Sequence, residues 1–292
     1  MQLKKVYPQY FIMPAVVLYT ILFMVPSFLG LLYSFTDWNA YNDHINFIGF
    51  DNFKDIFNTD ESYLRFIWNT FYFAGITTLL KVVLGLSLAL LLNQSLKTTN
   101  ILRTLFYLPV TLSPLVIGLV FISIFDPKVG VLNDFLRLIG LNFLTRSWLT
   151  DINMAMNAVM SVEIWRMAGY CMIIFLAGLQ TIPKDYYEAA EVDGAGRFSK
   201  FFNVTLPFLQ PAIIINVVLN LIFGLKVFEL IFVLTKGGPG DLTGVLNTQV
   251  FSEFSSGRYG LATALNVIIM VLTLIVSLIV LRALSIKGGD HQ

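Results

Sequence analysis

The feature that most limits the fold is a set of apolar stretches, each long enough to cross a lipid bilayer. A hydrocarbon core about 30 Å thick needs roughly 20 mostly apolar residues in a helix. Residues 10–35, 67–92, 104–125, 154–179, 211–234 and 259–281 meet that length. Backbone groups in lipid must bond one another, and segments this aliphatic do so as helices, with no barrel-like alternation. The expectation is all-α, a polytopic membrane protein with six transmembrane helices. Composition agrees: only 13% of residues are charged, against roughly a quarter in soluble domains.

The uncharged run over residues 6–36 is longer than the roughly 7–15 apolar residues of a secretory signal, so it reads as a retained span. Six spans return both termini to one side. Lys4 and Lys5 flank the first span, Lys97 and Arg103 the second–third connection, Lys184, Arg197 and Lys200 the fourth–fifth, and Arg282 and Lys287 the tail. The first opposite loop, residues 37–65, is acidic despite Lys54 and Arg65. By the positive-inside rule both termini are cytoplasmic, and the loops near 126–151 and 236–258 face outward. Residues 1–66 then form a leading span with its acidic outer loop, 67–284 a core, and 285–292 a cytoplasmic tail.

No catalytic or metal-binding residues are expected. Cys171 is the single cysteine, and His44 and His291 lie outside the spans. Nothing matches the phosphate-cradling G-x-x-x-x-G-K-[ST] pattern.

Between the fourth and fifth spans lies a polar insert, "EAAEVDGAGRFSKFFNVTLPFLQP", residues 188–211. Pro183 and Lys184 suit a first helical turn. Tyr186, Ala189, Ala190 and Asp193 then share one face, small enough in its middle for another backbone to approach. Gly194 suits a left-handed cap, where a side chain is expected to clash. So short a helix is marginal alone and gains order by docking. Phe198, Phe201, Phe202 and Thr205 continue at helical spacing beside Arg197 and Lys200, as in a helix lying along the membrane surface.

Ionisable residues within spans face an interior or a cavity: Lys81, Glu163, Arg166, Lys226 and Glu229. Glu163, Arg166, Met167 and Tyr170 form one helical stripe. Asn216, Asn220, Phe223, Gly224 and Val227 form another, with Gly224 leaving space. Amides, charges and rings together suit a sugar. The alternative is bonding between helices, and Lys226 and Glu229 either line the pathway or pair with each other. The turn "TKGGPGD", residues 235–241, is part of an outer mouth or a turn alone.

The polar insert resembles the EAA signature of binding-protein-dependent ABC importer permeases: Glu188-Ala189-Ala190, Asp193-Gly194-Ala195, Phe201, Leu206-Pro207 and Pro211 stand at the family's spacing, with Val204 in place of its isoleucine. "WNTFYFA" (68–74) and "RTLFYLPVTLSP" (103–114) resemble its core, and "FELIFVLTKGGPG" (228–240) its carbohydrate-importing branch. The likeness runs over residues 67–284, and residues 10–35 match that branch's extra leading span.

The resemblance implies a type I ABC importer permease fold and import of a sugar by alternating access across the cytoplasmic membrane. It makes residues 184–196 a coupling helix, with Tyr187, Glu188, Ala189, Ala190, Asp193, Gly194 and Ala195 against an ATPase. It places substrate contacts on the fourth and fifth spans near the midplane, in keeping with a pathway along the two stripes at Glu163, Arg166, Met167, Tyr170, Asn220, Phe223, Gly224 and Val227. It implies a second homologous permease subunit, two cytoplasmic ATPase subunits that use ATP and Mg, and an extracytoplasmic solute-binding protein. No cofactor on this chain and no nucleic-acid partner follow from it. Glycerol 3-phosphate or a related polar solute is the alternative cargo, and an ion-coupled carrier the alternative machine.

Overall fold

The computed structural model describes residues 9–58, 61–94 and 98–286. Lys4, Lys5, Lys97, Lys287 and His291 lie outside the described residues. Among the described residues, four helices are long and apolar enough to cross a membrane unbroken: α1 (Tyr10–Tyr33), α3 (Glu61–Leu92), α7 (Ala155–Gln180) and α13 (Tyr259–Ile286). Between α1 and α3 lies α2 (Asp51–Asn58).

The remaining two predicted spans are bent, so that the six spans comprise four unbroken helices and two bent pairs. Residues 104–125 divide into α4 (Thr99–Thr111) and α5 (Pro114–Ile124), 98° apart. Pro114 causes the break: it takes the first helical turn of α5 and holds Ser113 extended, at ψ 134°. A short helix, α6 (Val131–Leu138), follows, and α8 (Lys184–Val192) comes after α7. The next pair, α9 (Arg197–Phe208) and α10 (Gln210–Leu225), meets at 66°. The chain opens again at Lys226, so the predicted span 211–234 ends as a separate turn of helix, α11 (Glu229–Leu234). Then comes α12 (Leu246–Ser255).

The residues fall into two compact units, one holding residues up to Leu64 with Gln249–Ile268, the other Arg65–Thr248 with the remainder. The sequence reading closes the first at residue 66 and does not include 249–268. In the first unit α1 buries no residue, so its apolar surface is left for lipid. The loop after α1 is tied down by Asn52, whose Nδ2 donates to the carbonyls of Ser34 and Thr36 at 2.9 and 2.8 Å. Tyr63 Oη donates to Glu253 Oε1 at 2.8 Å, and Glu253 also pairs with Arg258.

The second unit is inside-out relative to a soluble protein. Leu79, Leu80, Val83 and Leu84 of α3 are exposed, whereas Lys81, Glu163, Asn216 and Asn220 are buried. That is the pattern of a helix bundle whose solvent is hydrocarbon. Small residues set the crossings, as packing between membrane helices requires. A Cβ at Gly85 would stand 2.4 Å from Cys171 Cβ, and one at Gly224 would stand 2.7 Å from Ala74 Cα. Gly169 of α7 is tightest, since a Cβ there would lie 2.0 Å from the Phe106 carbonyl oxygen of α4. Gly169→Ala is therefore expected to destabilise the bundle by about 1–3 kcal/mol, seen as a lower melting temperature of the detergent-purified protein.

Candidate functional site

Two places bring the chemistry-bearing residues together. The first is a cavity of about 450 Å³ in the second unit. Its walls are the end of α4 and start of α5 (Val110, Pro114), one face of α7 (Glu163, Arg166, Met167, Tyr170), and the stretch from Phe223 to Leu230. The broken fifth span makes this shape: because the helix opens over 226–228, Lys226, Val227, Phe228 and Glu229 all reach the same space. Tyr170 and Phe223 meet edge to face, with ring centroids 6.2 Å apart.

The charge at the wall is organised by an ion triad. Arg166 donates from Nε and Nη2 to Glu163 Oε2 at 3.1 and 2.8 Å. Lys81, from α3, places Nζ 3.4 Å from the other oxygen, Oε1. Lys81 and Glu163 are 0% and 3% exposed, while Arg166 is only half-buried and reaches the cavity. The predicted Glu163–Arg166 pair is present, and Lys81 joins it from 82 positions away. That partner is not visible in periodicity, which reports only neighbours on one helix. Lys226 and Glu229 are exposed, and no ion pair joins them among the described residues.

Two predicted pathway residues sit elsewhere. Gly224 does not leave space; its bare face is filled by the backbone of Ala74. Asn220 is fully buried and donates to Cys171 Sγ at 3.1 Å and to the Asn216 carbonyl at 2.9 Å. Both Oδ1 atoms, of Asn216 and Asn220, lack a hydrogen-bond partner among the described residues. In this conformation the two amides bond α10 to itself and to α7 instead of facing the cavity. Glu163, Arg166, Met167, Tyr170, Phe223 and Val227 do line it. Val110, Pro114, Phe228 and Leu230 were not anticipated; the Ser113-Pro114 break was their one sequence signal.

The second place is the polar insert. Pro183 is the N-cap of α8, extended at ψ 138°, rather than part of its first turn. The helix ends in a Schellman arrangement: Gly194 N–H donates to the Glu191 carbonyl at 3.0 Å and Ala195 N–H to the Ala190 carbonyl at 2.8 Å. Gly194 has φ +74°. Nothing lies within 4 Å of a Cβ built there, so the expected clash is absent and the restriction is the left-handed backbone itself.

The two faces of α8 differ from the predicted stripe. Tyr187 and Ala190 turn inward onto the core formed by Leu176, Leu179, Ile182 and Leu209, and Tyr187 Oη lies 3.0 Å from Thr205 Oγ1. Glu188, Ala189, Val192 and Asp193 are exposed, and Ala195 is half-buried. Tyr186 is exposed beside Phe208, with ring centroids 4.7 Å apart. Lys200 Nζ reaches back to Glu191 Oε1 at 2.6 Å, and this hydrogen bond holds the carboxyl below the usual range. Along α9, Phe198 and Phe202 are exposed while Val204 and Thr205 are buried.

The turn 235–241 is also tightly built. Lys236 and Asp241 have positive φ, the Gly238–Pro239 bond is cis, and Thr243 Oγ1 donates to the Gly238 carbonyl at 2.7 Å. Asp126 nearby accepts the N–H groups of Val129 and Lys128, which hold its carboxyl below the ordinary value. No group of metal-ligating side chains occurs among the described residues.

Residues 81–286 match the family described as "Binding-protein-dependent transport system inner membrane component". The chain is 35% identical to the probable ABC transporter permease protein YurN of Bacillus subtilis, covering 99% of each. It is 34% identical to the multiple sugar-binding transport system permease protein MsmF of Streptococcus mutans, over 97% of this chain and 98% of that one. Among solved structures, a bacterial ABC transporter involved in the import of the acidic polysaccharide alginate superposes with a TM-score of 0.82, at 28% identity, over 94% of this chain and 93% of that one. A bacterial alginate ABC transporter in complex with an alginate pentasaccharide-bound periplasmic protein gives a TM-score of 0.80 at 28% identity, over 93% of this chain and 91% of that one.

Proposed function

Because the chain belongs to the family of binding-protein-dependent transport system inner membrane components, we propose that it is the permease subunit through which an ATP-driven importer passes a sugar. The observation that carries this reading is a cavity of about 450 Å³ with the mixture a sugar needs. Tyr170 and Phe223 offer rings to the apolar faces of a pyranose, and Arg166, Lys226 and Glu229 offer donors and acceptors to its hydroxyls. The relative named for multiple-sugar transport supports the same substrate class.

The motor is another chain, since this sequence carries no phosphate-cradling motif. We assign its docking surface to the exposed side of α8, Glu188, Ala189, Val192 and Asp193, with Gly194 fixing where the helix stops. Tyr187 and Ala190 hold the same helix to the bundle, so a push on one face is transmitted to α7 and α10 through the other. A second permease completes the pathway, a solute-binding protein delivers the sugar outside, and the positive-inside rule supports a cytoplasmic side for both termini of this chain.

The test is reconstitution of the chain with its co-purifying subunits and binding protein, followed by sugar-stimulated ATP turnover. Stimulation by a sugar is expected, and ATP turnover that no sugar alters would contradict the reading. Glu188→Lys inverts a charge at the exposed face and is expected to lower the yield of co-purified ATPase several-fold. An unchanged yield removes Glu188 from the contact.

A further inference from the structure

We propose that the cavity selects sugars bearing an anionic group, and that Lys81, which does not line it, is the residue that sets this preference. The inference rests on the sugar-importer reading and deepens it. Lys81 is wholly buried and 3.4 Å from Glu163 Oε1, while Arg166 takes the other oxygen. One carboxylate therefore serves two cations, and the triad keeps one positive charge over. Lys226 and Glu229 bring one charge of each sign to the same wall and add nothing to its net charge. No other acid stands in the helices around the cavity: α4, α5 and α10 have none, and Glu163 is the only one in α7.

An uncompensated cation at membrane depth is costly and occurs where something negative offsets it. Lys81 has no route to solvent, so the surplus is felt where the triad meets the cavity, at the guanidinium of Arg166. Both nitrogens on the Glu163 side of that guanidinium are engaged, and Nη1 makes no side-chain hydrogen bond among the described residues. A carboxylate, phosphate or sulfonate on the sugar completes the charge balance; a neutral sugar does not. Lys81 is thus a positioning residue, acting on the substrate through Glu163 and Arg166.

The experiment uses the reconstituted complex with its binding protein. ATP turnover is titrated with a neutral disaccharide, a uronic-acid disaccharide and a disaccharide phosphate, for the natural chain and for Lys81→Met. The natural chain is expected to respond to at least one acidic sugar at concentrations at least about tenfold below the neutral one, the scale of one charge acting through several ångströms of low-dielectric protein. The two acidic arms separate a carboxylate from a phosphate. In Lys81→Met that ratio is expected to collapse toward one. The binding protein is the same in both preparations, so a change in ratio belongs to the permease. If Lys81→Met does not assemble, Lys81→Gln removes the same charge and keeps a hydrogen-bond donor facing Glu163. A natural chain that prefers the neutral sugar, or a ratio that survives the Lys81 substitution, overturns the proposal while leaving the importer intact. Loss of every sugar response in the natural chain removes the importer reading and the proposal together.

Discussion

Gly194→Val is expected to leave the protein inserted and associated with its spans intact, yet to cut ATP-driven uptake about 5- to 30-fold. Gly194 stands at φ +74°, where an L residue costs roughly 1–2 kcal/mol and a β-branched one is an outlier. That energy corresponds to the stated factor. The space beside the residue is open, so nothing clashes and folding of the bundle is not at stake. What is lost is the pair of capping bonds to Glu191 and Ala190, and with them the fixed end of a nine-residue helix that is marginal alone. The helix then frays where the motor would press. Gly194→Asn tolerates the left-handed region better and should retain more uptake than valine. Equal uptake in all three forms would show that the cap does not transmit force.

Glu163→Gln is the substitution with the largest expected effect on assembly. It removes the one carboxylate between Lys81 and Arg166, leaving a fully buried ammonium without its counter-charge. Breaking a buried pair from one side costs about 3–5 kcal/mol, enough to lower the yield of folded protein sharply in detergent. Adding Lys81→Met to Glu163→Gln takes away the stranded cation and should recover much of the melting temperature, because Arg166 still reaches the cavity. If the double variant is no more stable than Glu163→Gln alone, the triad is not held together electrostatically.

Much of the architecture was legible from hydropathy, because lipid imposes its thickness on the sequence. Spans at 10–35, 67–92, 154–179 and 259–281 correspond to α1, α3, α7 and α13. The same measure is blind to direction, so the 98° turn before Pro114 lay inside one apolar run, signalled only by Ser113-Pro114. The opening at Lys226–Phe228 was likewise hidden, although two charges placed three apart in a span were a local hint. For the site, the stripe on α7 was readable because periodicity reports one helix's face. Which neighbour covers a face is a tertiary matter. Hence Asn220 and Gly224, on the predicted stripe of α10, turn out to pack against α7 and α3. Lys81 supplies a charge to Glu163 that no spacing could reveal. On α8 the stop at Gly194 was written in the residue type, but the inward turn of Tyr187 and Ala190 depended on the core beneath them.

The docking role proposed for α8 is tested by placing a thiol on its exposed face. Val192 is 89% exposed, whereas the single native cysteine, Cys171, is wholly buried, so Val192→Cys offers a crosslinker one accessible target. With the subunits that co-purify, a short bifunctional reagent should join Val192→Cys to an ATP-hydrolysing chain, and the yield should change when ATP is added. A crosslink to no such chain, or labelling of this position only from the extracytoplasmic side, would contradict it.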